Sequence, residues 1–394
     1  MGNDIAIEVR ATPEHRLGMP VEAFLHDYWQ KRPLLIRQAF PDFTLPLQPD
    51  DLGGLGCEDT ALSRLIEYHR ADDRWTVHTG PLDEALFARL PDRDWTLLVQ
   101  DVDKWDADVA ALLEHFRFLP AWRIDDVMIS YAEDGGGVGA HVDQYDVFLL
   151  QGMGRRRWSI DATANPPTAF RAGLELKLLQ TFQPSHEWTL EPGDMLYLPP
   201  GVPHDGVADG ACMTFSVGMR APSRSELLLD FVEHIAERLP DEERYADPDL
   251  APARHDGEID AAALRRVSAA LGPAAGLATD ADTADWFGRF ITRYRSAQFA
   301  APPPDTTSVA ALADALHRGA RLLRHPWTRM AWLPADDPER ATLFVAGEAL
   351  PCPRRLARQL CATTADVTPQ ALADEEHEVI LALVNQGHLV LDTP

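Results

Sequence analysis

The chain has 394 residues, too many for one ordinary core and enough for two or three domains. Its hydrophobic fraction of 45% and charged fraction of 25% are those of ordinary folded domains, and no stretch nears the roughly twenty apolar residues of a membrane span, so no membrane association is expected. With 62 acidic against 36 basic residues the formal charge is -26, which repels a phosphate backbone; a basic protein fits better as partner than nucleic acid, unless the acidity serves solubility alone.

The N-terminus, Met1-Gly2-Asn3-Asp4, lacks a basic start followed by an apolar run, and a cytoplasmic location is expected. Cys57, Cys212, Cys352 and Cys361 form no C-x-x-C pair, which argues against a zinc ribbon or a disulfide scaffold. Val21 to Gln30 reads as a helix through Phe24, Leu25, Tyr28 and Trp29, ended by Pro33, and Leu34-Leu35-Ile36 as a strand. From Trp95 the character is β: Trp95–Gln100, Asp126–Tyr131, Asp146–Leu150, Arg157–Ile160, Asp194–Leu198 and Met213–Val217 are short runs between turns, the pattern of a barrel or sandwich.

After Pro222 the capping box Ser223-Arg-Ser-Glu226 opens a helix striped by Leu227, Leu228, Phe231, Ile235 and Leu239. Further helices are expected near Asp260–Leu271 and Thr283–Gln298, the latter with a wide apolar face of Trp286, Phe287, Phe290, Ile291 and Tyr294. That face calls for a partner surface, either a second copy in a dimerisation bundle or the barrel of the same chain. Pro302-Pro303-Pro304 reads as a stiff linker. The remainder offers a helix (Val309–Leu323), a hairpin (Arg329–Leu333 with Ala341–Ala346), helices at Pro353–Cys361 and Pro369–Gln386, and a final strand, Gly387–Leu391. This suggests a winged-helix module, whose recognition helix carries Asp374-Glu375-Glu376-His377-Glu378 and so points away from nucleic acid. The expected architecture is mainly β plus α: a double-stranded β-helix with an N-terminal extension (1–221), a helical dimerisation region (222–304) and a winged-helix-like domain (305–394).

His141-Val142-Asp143 puts two ligand-type side chains two apart, on one face if the segment is a strand. Leu190-Glu-Pro-Gly-Asp-Met-Leu-Tyr-Leu-Pro-Pro-Gly-Val-Pro-His204 is a turn, strand and Pro-fixed loop that delivers a third ligand, His204. Two His and one carboxylate form a facial triad that leaves open positions on an octahedral metal. His186 is a rival ligand, but Pro184-Ser185-His186-Glu187 reads as a surface loop. Gly135-Gly136-Gly137 lacks a phosphate-loop pattern and reads as a flexible entrance loop. In Arg155-Arg156-Arg157, strand alternation sends Arg156 to the opposite face from its neighbours, and an inward Arg beside a metal suits a dicarboxylate cosubstrate. Asp126, Met128 and Ser130 share a face, as do Thr214 and Ser216; the hydroxyls of Ser130 and Ser216 either meet a ligand or bond backbone within the barrel.

The run Gly135-Gly-Gly-Val-Gly-Ala-His141-Val-Asp143-Gln-Tyr-Asp-Val-Phe-Leu-Leu-Gln-Gly-Met-Gly-Arg-Arg-Arg-Trp158, with Glu191–His204 and Phe215–Pro222, closely resembles the bacterial ribosomal oxygenases. Tyr28–Ile36 looks like the family's N-terminal segment, and the order of barrel, helical region and winged helix is similar throughout. The resemblance implies a JmjC-type, 2-oxoglutarate-dependent enzyme that uses O2 to hydroxylate C-3 of an arginine of large-subunit ribosomal protein sixteen, and a homodimer. It implies Fe(II) on His141, Asp143 and His204, and 2-oxoglutarate on Arg156 and Ser130, where histone-modifying relatives generally use a Lys. For the substrate guanidinium it leaves Asp126 as a clamp, Ser216 to assist, and Met128 or Tyr145 against the aliphatic stem. The alternatives are a histidine-hydroxylating relative, a cupin metalloenzyme without 2-oxoglutarate, and a non-catalytic cupin and winged-helix regulator. Asp126 favours arginine, because a carboxylate pairs better with guanidinium than with neutral imidazole.

Overall fold

The computed structural model describes residues 6–393 apart from 241, 243, 249, 251–260, 272–279, 294–299, 363–365 and 370–371. The chain divides into two compact units, Met1–Ala221 and Pro222–Pro394.

The first unit runs β1 (Glu8–Arg10), α1 (Val21–Asp27), β2 (Leu34–Arg37), α2 (Pro49–Cys57), β3 (Ser63–His69), β4 (Arg74–Thr79), α3 (Glu84–Phe87), β5 (Trp95–Val99), α4 (Val102–Trp105), α5 (Ala107–Ala111), β6 (Ile124–Ala132), β7 (Val147–Ile160), β8 (His186–Leu190), β9 (Met195–Leu198) and β10 (His204–Met219). The strands form one sheet in the order β1-β2-β9-β7-β10-β6-β5-β3-β4, with β8 alongside β7. The sequence runs 146–150 and 157–160, expected as separate strands, are the two ends of β7, and 213–217 is the second half of β10.

β7 and β10 pair along their length with a register slip between Asp209 and Thr214. Gly154 sits at this slip with φ 61°, and a Cβ there would stand 2.1 Å from the Ala211 carbonyl oxygen. β7 therefore pairs with β9 before the slip and with β8 after it, which gives the double-stranded β-helix. β3, β4 and β8 were not legible as strands, because their burial is partial and their charged residues break the apolar runs.

Both faces of the central strands are covered, which explains uninterrupted apolar runs such as Leu34-Leu35-Ile36 and Met195–Leu198. Phe24, Ile36, Val127, Ile129, Phe148, Tyr197, Phe215 and Val217 form the larger core, under the N-terminal helices. Leu35, Leu149, Trp158, Ile160, Leu190, Leu196 and Leu198 form a second cluster on the inner face. Since Val127 and Ile129 belong to the larger core, Met128 and Ser130 point the other way, into the barrel.

The second unit contains α6 (Arg224–Ala236), α7 (Ala261–Leu271), α8 (Asp280–Thr292), α9 (Val309–His317), β11 (Arg321–Arg324), β12 (Met330–Pro334), β13 (Arg340–Val345), β14 (Glu348–Pro353), α10 (Arg354–Leu360), α11 (Asp374–Asn385) and β15 (Leu389–Asp392). The expected box caps α6, with Ser223 accepting from Glu226 N–H and Glu226 accepting from Ser223 N–H. The helix expected over Val309–Leu323 stops at His317; Gly319 takes φ 90°, and Arg321–Arg324 pairs with β15 instead. The expected hairpin has a third strand, β14, paired with β13.

The wide apolar face of α8 is used within this unit. Trp286, Phe290 and Ile291 are buried, and a Cβ on Gly288 would stand 2.4 Å from the Phe344 ring, so the helix lies flush on the β12–β14 sheet. Tyr294 and the rest of that expected helix lie outside the described residues. Among the described residues, no helix is long and apolar enough to cross a membrane.

Candidate metal and cosubstrate site

His141, Asp143 and His204 come together as the sequence suggests, with one ligand atom from each lying within 4.8 Å of the others. The route differs from the expected one. Val142 and Asp143 are not in a strand; His141 forms an isolated antiparallel bridge with His204, N–H to carbonyl at 3.0 Å in both directions. The Gly201 N–H donates to the Asp143 backbone carbonyl at 2.8 Å, so the Pro-fixed loop fixes the Asp143 backbone as well as delivering His204. Convergence thus comes from backbone cross-links between the loop at 141–143 and the start of β10 with the loop before it, rather than from strand alternation.

The Nδ1 atoms of His141 and His204 lie 2.9 Å from the carbonyls of Gly139 and Val202. A proton on each Nδ1 leaves both Nε2 lone pairs facing Asp143, whose oxygens stand 3.9 Å and 3.6 Å away, beyond hydrogen-bond distance and close enough to share an ion. Burial, and then the neighbouring His141, hold His204 well below the ordinary imidazole value, in the neutral form that ligation needs. Two nitrogens and one carboxylate oxygen, each oriented from behind, fit a divalent first-row metal with open positions.

Arg156 is the inward member of its triplet: it is buried, whereas Arg155 and Arg157 are exposed. It donates to Ser130 Oγ at 2.9 Å, Thr214 Oγ1 at 3.3 Å and the Gly206 carbonyl at 3.4 Å, and its Nε has no partner. No carboxylate pairs with it among the described residues. A buried guanidinium that only the more distant Asp205 offsets is costly, and an anionic ligand would reduce that cost. Its guanidinium carbon lies 5.4 Å from the Trp158 ring centroid, and that ring lies 5.9 Å from His204, so one indole separates the cation from the metal ligand. Gly206 makes room for it, since a Cβ there would meet the ring at 2.7 Å. From sequence, Thr214 shares a face with Ser216 but has no role, and Trp158 is not a site candidate; the contacts of both with Arg156 follow once the register is known.

Register sets the neighbouring positions. Thr214 stands opposite Ser130, Ser216 opposite Met128, and Gly218 opposite Asp126, all on the barrel side. Ser216 is buried and Met128 half-buried. Asp126 accepts from the Asp101 N–H at 3.0 Å. Burial, then the carboxylates of Asp101 and Asp103, push Asp126 up to about 7. A Cβ on Gly218 would stand 3.2 Å from Asp126 Oδ1, so the glycine keeps the space before that carboxylate open. Tyr145 is 41% exposed, and its phenol, raised by burial and then by Asp143, is set against the Asp143 carboxylate.

Two readings of the surroundings are corrected. His186 begins strand β8, opposite Ile160, and is absent from the ligand cluster. Gly135–Gly137 is laced to β10 rather than loose: Gly135 N–H donates to the Ala208 carbonyl at 3.0 Å, Ala208 N–H to Gly136 at 2.8 Å, and a Cβ on Gly137 would stand 2.6 Å from the Gly206 carbonyl oxygen.

Residues 111–227 match the JmjC domain family, 275–390 the ROXA-like winged helix, and 185–281 the AraC-like ligand binding domain. Ribosomal protein uL16 3-hydroxylase of Escherichia coli is 35% identical over 95% of this chain and 98% of its own length. A probable ribosomal oxygenase of Haemophilus influenzae is 39% identical over 55% of this chain and 52% of its own. The solved structure of YcfD, a ribosomal oxygenase from Escherichia coli, in complex with cobalt and 2-oxoglutarate superposes with a TM-score of 0.77 at 34% identity, covering 95% of this chain and 98% of that one.

Proposed function

Because the chain belongs to the JmjC-domain ribosomal oxygenases, we propose that it hydroxylates C-3 of an arginine side chain of large-subunit ribosomal protein uL16, using Fe(II), 2-oxoglutarate and O2. The observation that carries this reading is the buried Arg156, which forms no ion pair among the described residues, one indole away from a His-Asp-His cluster.

His141, Asp143 and His204 would hold the iron, and Arg156 with Ser130 the distal carboxylate of 2-oxoglutarate. Bound there, the iron and cosubstrate supply the oxidising chemistry, with 2-oxoglutarate leaving as succinate and CO2. The protein's own part is positioning. The Gly139 and Val202 carbonyls fix the tautomers of both histidines, and the neutral His204 keeps its Nε2 lone pair available. Thr214 shares the load of orienting the Arg156 fork and is itself held by Gln151, to which it donates at 3.0 Å. Asp126 receives the substrate guanidinium in the space left by Gly218, with Ser216 assisting and Met128 and Tyr145 flanking the aliphatic stem. A fixed carboxylate and a fixed metal ligand set then determine which carbon faces the open position.

The second unit supports assembly as a homodimer. Leu228, Leu229 and Val232 of α6 and Leu264, Val267 and Leu271 of α7 expose large apolar side chains, more than a solitary surface helix ordinarily shows. With a ribosomal protein as substrate, we place the enzyme in the cytoplasm.

The deciding experiment is succinate release by the Fe(II)-loaded protein, with mass spectrometry of a uL16 peptide in the same tube. Gain of one oxygen on arginine, lost in His141→Ala, is the expected result; succinate without peptide oxidation discards the substrate and keeps the oxygenase.

A further inference from the structure

The outer face of β5 and β6, behind the metal site, carries an open groove of about 1020 Å³. Its walls are α2, the Glu58-Asp59 turn and α3; its floor is Trp95, Leu97 and Tyr131, with Phe87 and Leu90 at one side. The volume lies at the top of the roughly 300–1,000 Å³ range of small-molecule sites, so a length of chain suits it better than a metabolite.

Two independent features describe the occupant. Asp50, Glu58, Asp59 and Glu84 stand exposed on the rim, and among the described residues no Lys, Arg or His lines the groove. Their field is felt inside: the Cys57 thiol is raised by burial and then by Glu84, Asp83 and Glu58, and Asp50 adds to the rise of the Tyr131 phenol. Second, α2 presents Gly53 and Gly54 to the groove, and an added Cβ at either would have nothing within 4 Å. Consecutive glycines inside a helix destabilise it relative to Ala, and no contact among the described residues requires them. What they leave is bare helix surface that another backbone can approach.

We infer that this groove binds a cationic, partly apolar segment of the polypeptide substrate, remote from the arginine that reacts. The inference rests on the uL16 reading, since it needs a basic protein substrate. Ser130 and Tyr131 are adjacent on β6 and face opposite sides, so the groove and the reacting site share one strand, and a bound protein must span the sheet to use both.

The test compares full-length uL16 with a short peptide bearing the target arginine, on wild type and on the triple variant Asp50→Lys, Glu58→Lys, Glu84→Lys. KM for the full-length protein rises roughly tenfold in the variant, while KM for the peptide and both kcat values stay unchanged, as loss of rim charge predicts. Equal KM values for the full-length protein on wild type and variant overturn the inference. Alkylation of Cys57, followed by mass spectrometry, is read in parallel: full-length uL16 slows it and the peptide does not, and an unaffected rate also overturns the inference. If neither substrate is hydroxylated, the uL16 reading falls, and Cys57 protection alone decides whether the groove takes a basic protein.

Discussion

The Arg156 guanidinium donates to the Ser130 hydroxyl at 2.9 Å inside the barrel, and among the described residues no carboxylate forms an ion pair with it, although Asp205 lies close enough to act on it electrostatically. Burial lowers the Arg156 pKa, and Cys212 and Asp205 oppose that only in part. Arg156→Met removes the unpaired charge while retaining a stem, so the free protein unfolds at the same or a higher temperature. The same variant loses the thermal shift produced by 2-oxoglutarate in the wild type, and succinate release falls by at least about 100-fold, the scale of a lost buried charge pair of roughly 3 kcal/mol. Differential scanning fluorimetry with and without 2-oxoglutarate checks both halves; an intact shift would sink the assignment.

The three ligand atoms cluster in the folded chain alone, so a divalent ion binds the native state in preference to the unfolded one. Co(II) at 100 times its dissociation constant raises stability by about 2.7 kcal/mol in the wild type, and His141→Ala or Asp143→Ala abolishes the gain. His186→Ala, in β8, leaves it unchanged. Titration of unfolding midpoints against Co(II) measures all three.

Asp126 has a folded value of about 7 against an ordinary 3.8. A raised acid binds its proton more tightly in the fold, so its contribution to stability is complete below about 4 and is lost as pH climbs through about 7. Asp126→Asn therefore stabilises the protein at pH 8 by on the order of 1–2 kcal/mol and changes little at pH 4. Catalysis runs the opposite way: the guanidinium clamp needs the anion, so kcat/KM for the peptide rises through pH 7 in the wild type and is low and flat in Asp126→Asn. Paired melting curves and pH profiles test the two signs together.

Gly218→Ala brings a methyl to 3.2 Å from Asp126 Oδ1 on the opposite strand. The variant folds normally, because a β-strand tolerates Ala. Peptide KM rises about tenfold while peptide-independent turnover of 2-oxoglutarate is unchanged. Succinate assays with and without peptide separate these, and a matched fall in both would place Gly218 with the cosubstrate instead.

Leu229 and Val232 are 72% and 54% exposed on α6. The double variant Leu229→Glu, Val232→Glu is expected to shift the protein from dimer to monomer by light scattering without loss of helix content, since neither side chain is buried within the chain.

The residues of the triad, the inward Arg156 and the order of β-barrel, helices and winged-helix-like domain were legible, because each depends on residue type and local spacing. Alternation alone separated Arg156 from Arg155 and Arg157, and the Pro-fixed loop before His204 could be read as a delivery device. The capping box at Ser223 is likewise a four-residue signal, and it holds.

Long-range pairing decided the rest. Nothing local says that His141 bridges to His204 instead of lying in a strand, that β7 continues unbroken through Gly154, or that Thr214 and Gly218 face Ser130 and Asp126. Register between distant strands is a property of two segments at once, and shifting it by one residue would send every one of these side chains to the other face. The apolar face of α8 shows the same division: sequence determined that Trp286, Phe290 and Ile291 must be covered, and only the tertiary structure decided that the β12–β14 sheet of the same chain covers them, because burial energy is non-directional and accepts any apolar surface that fits.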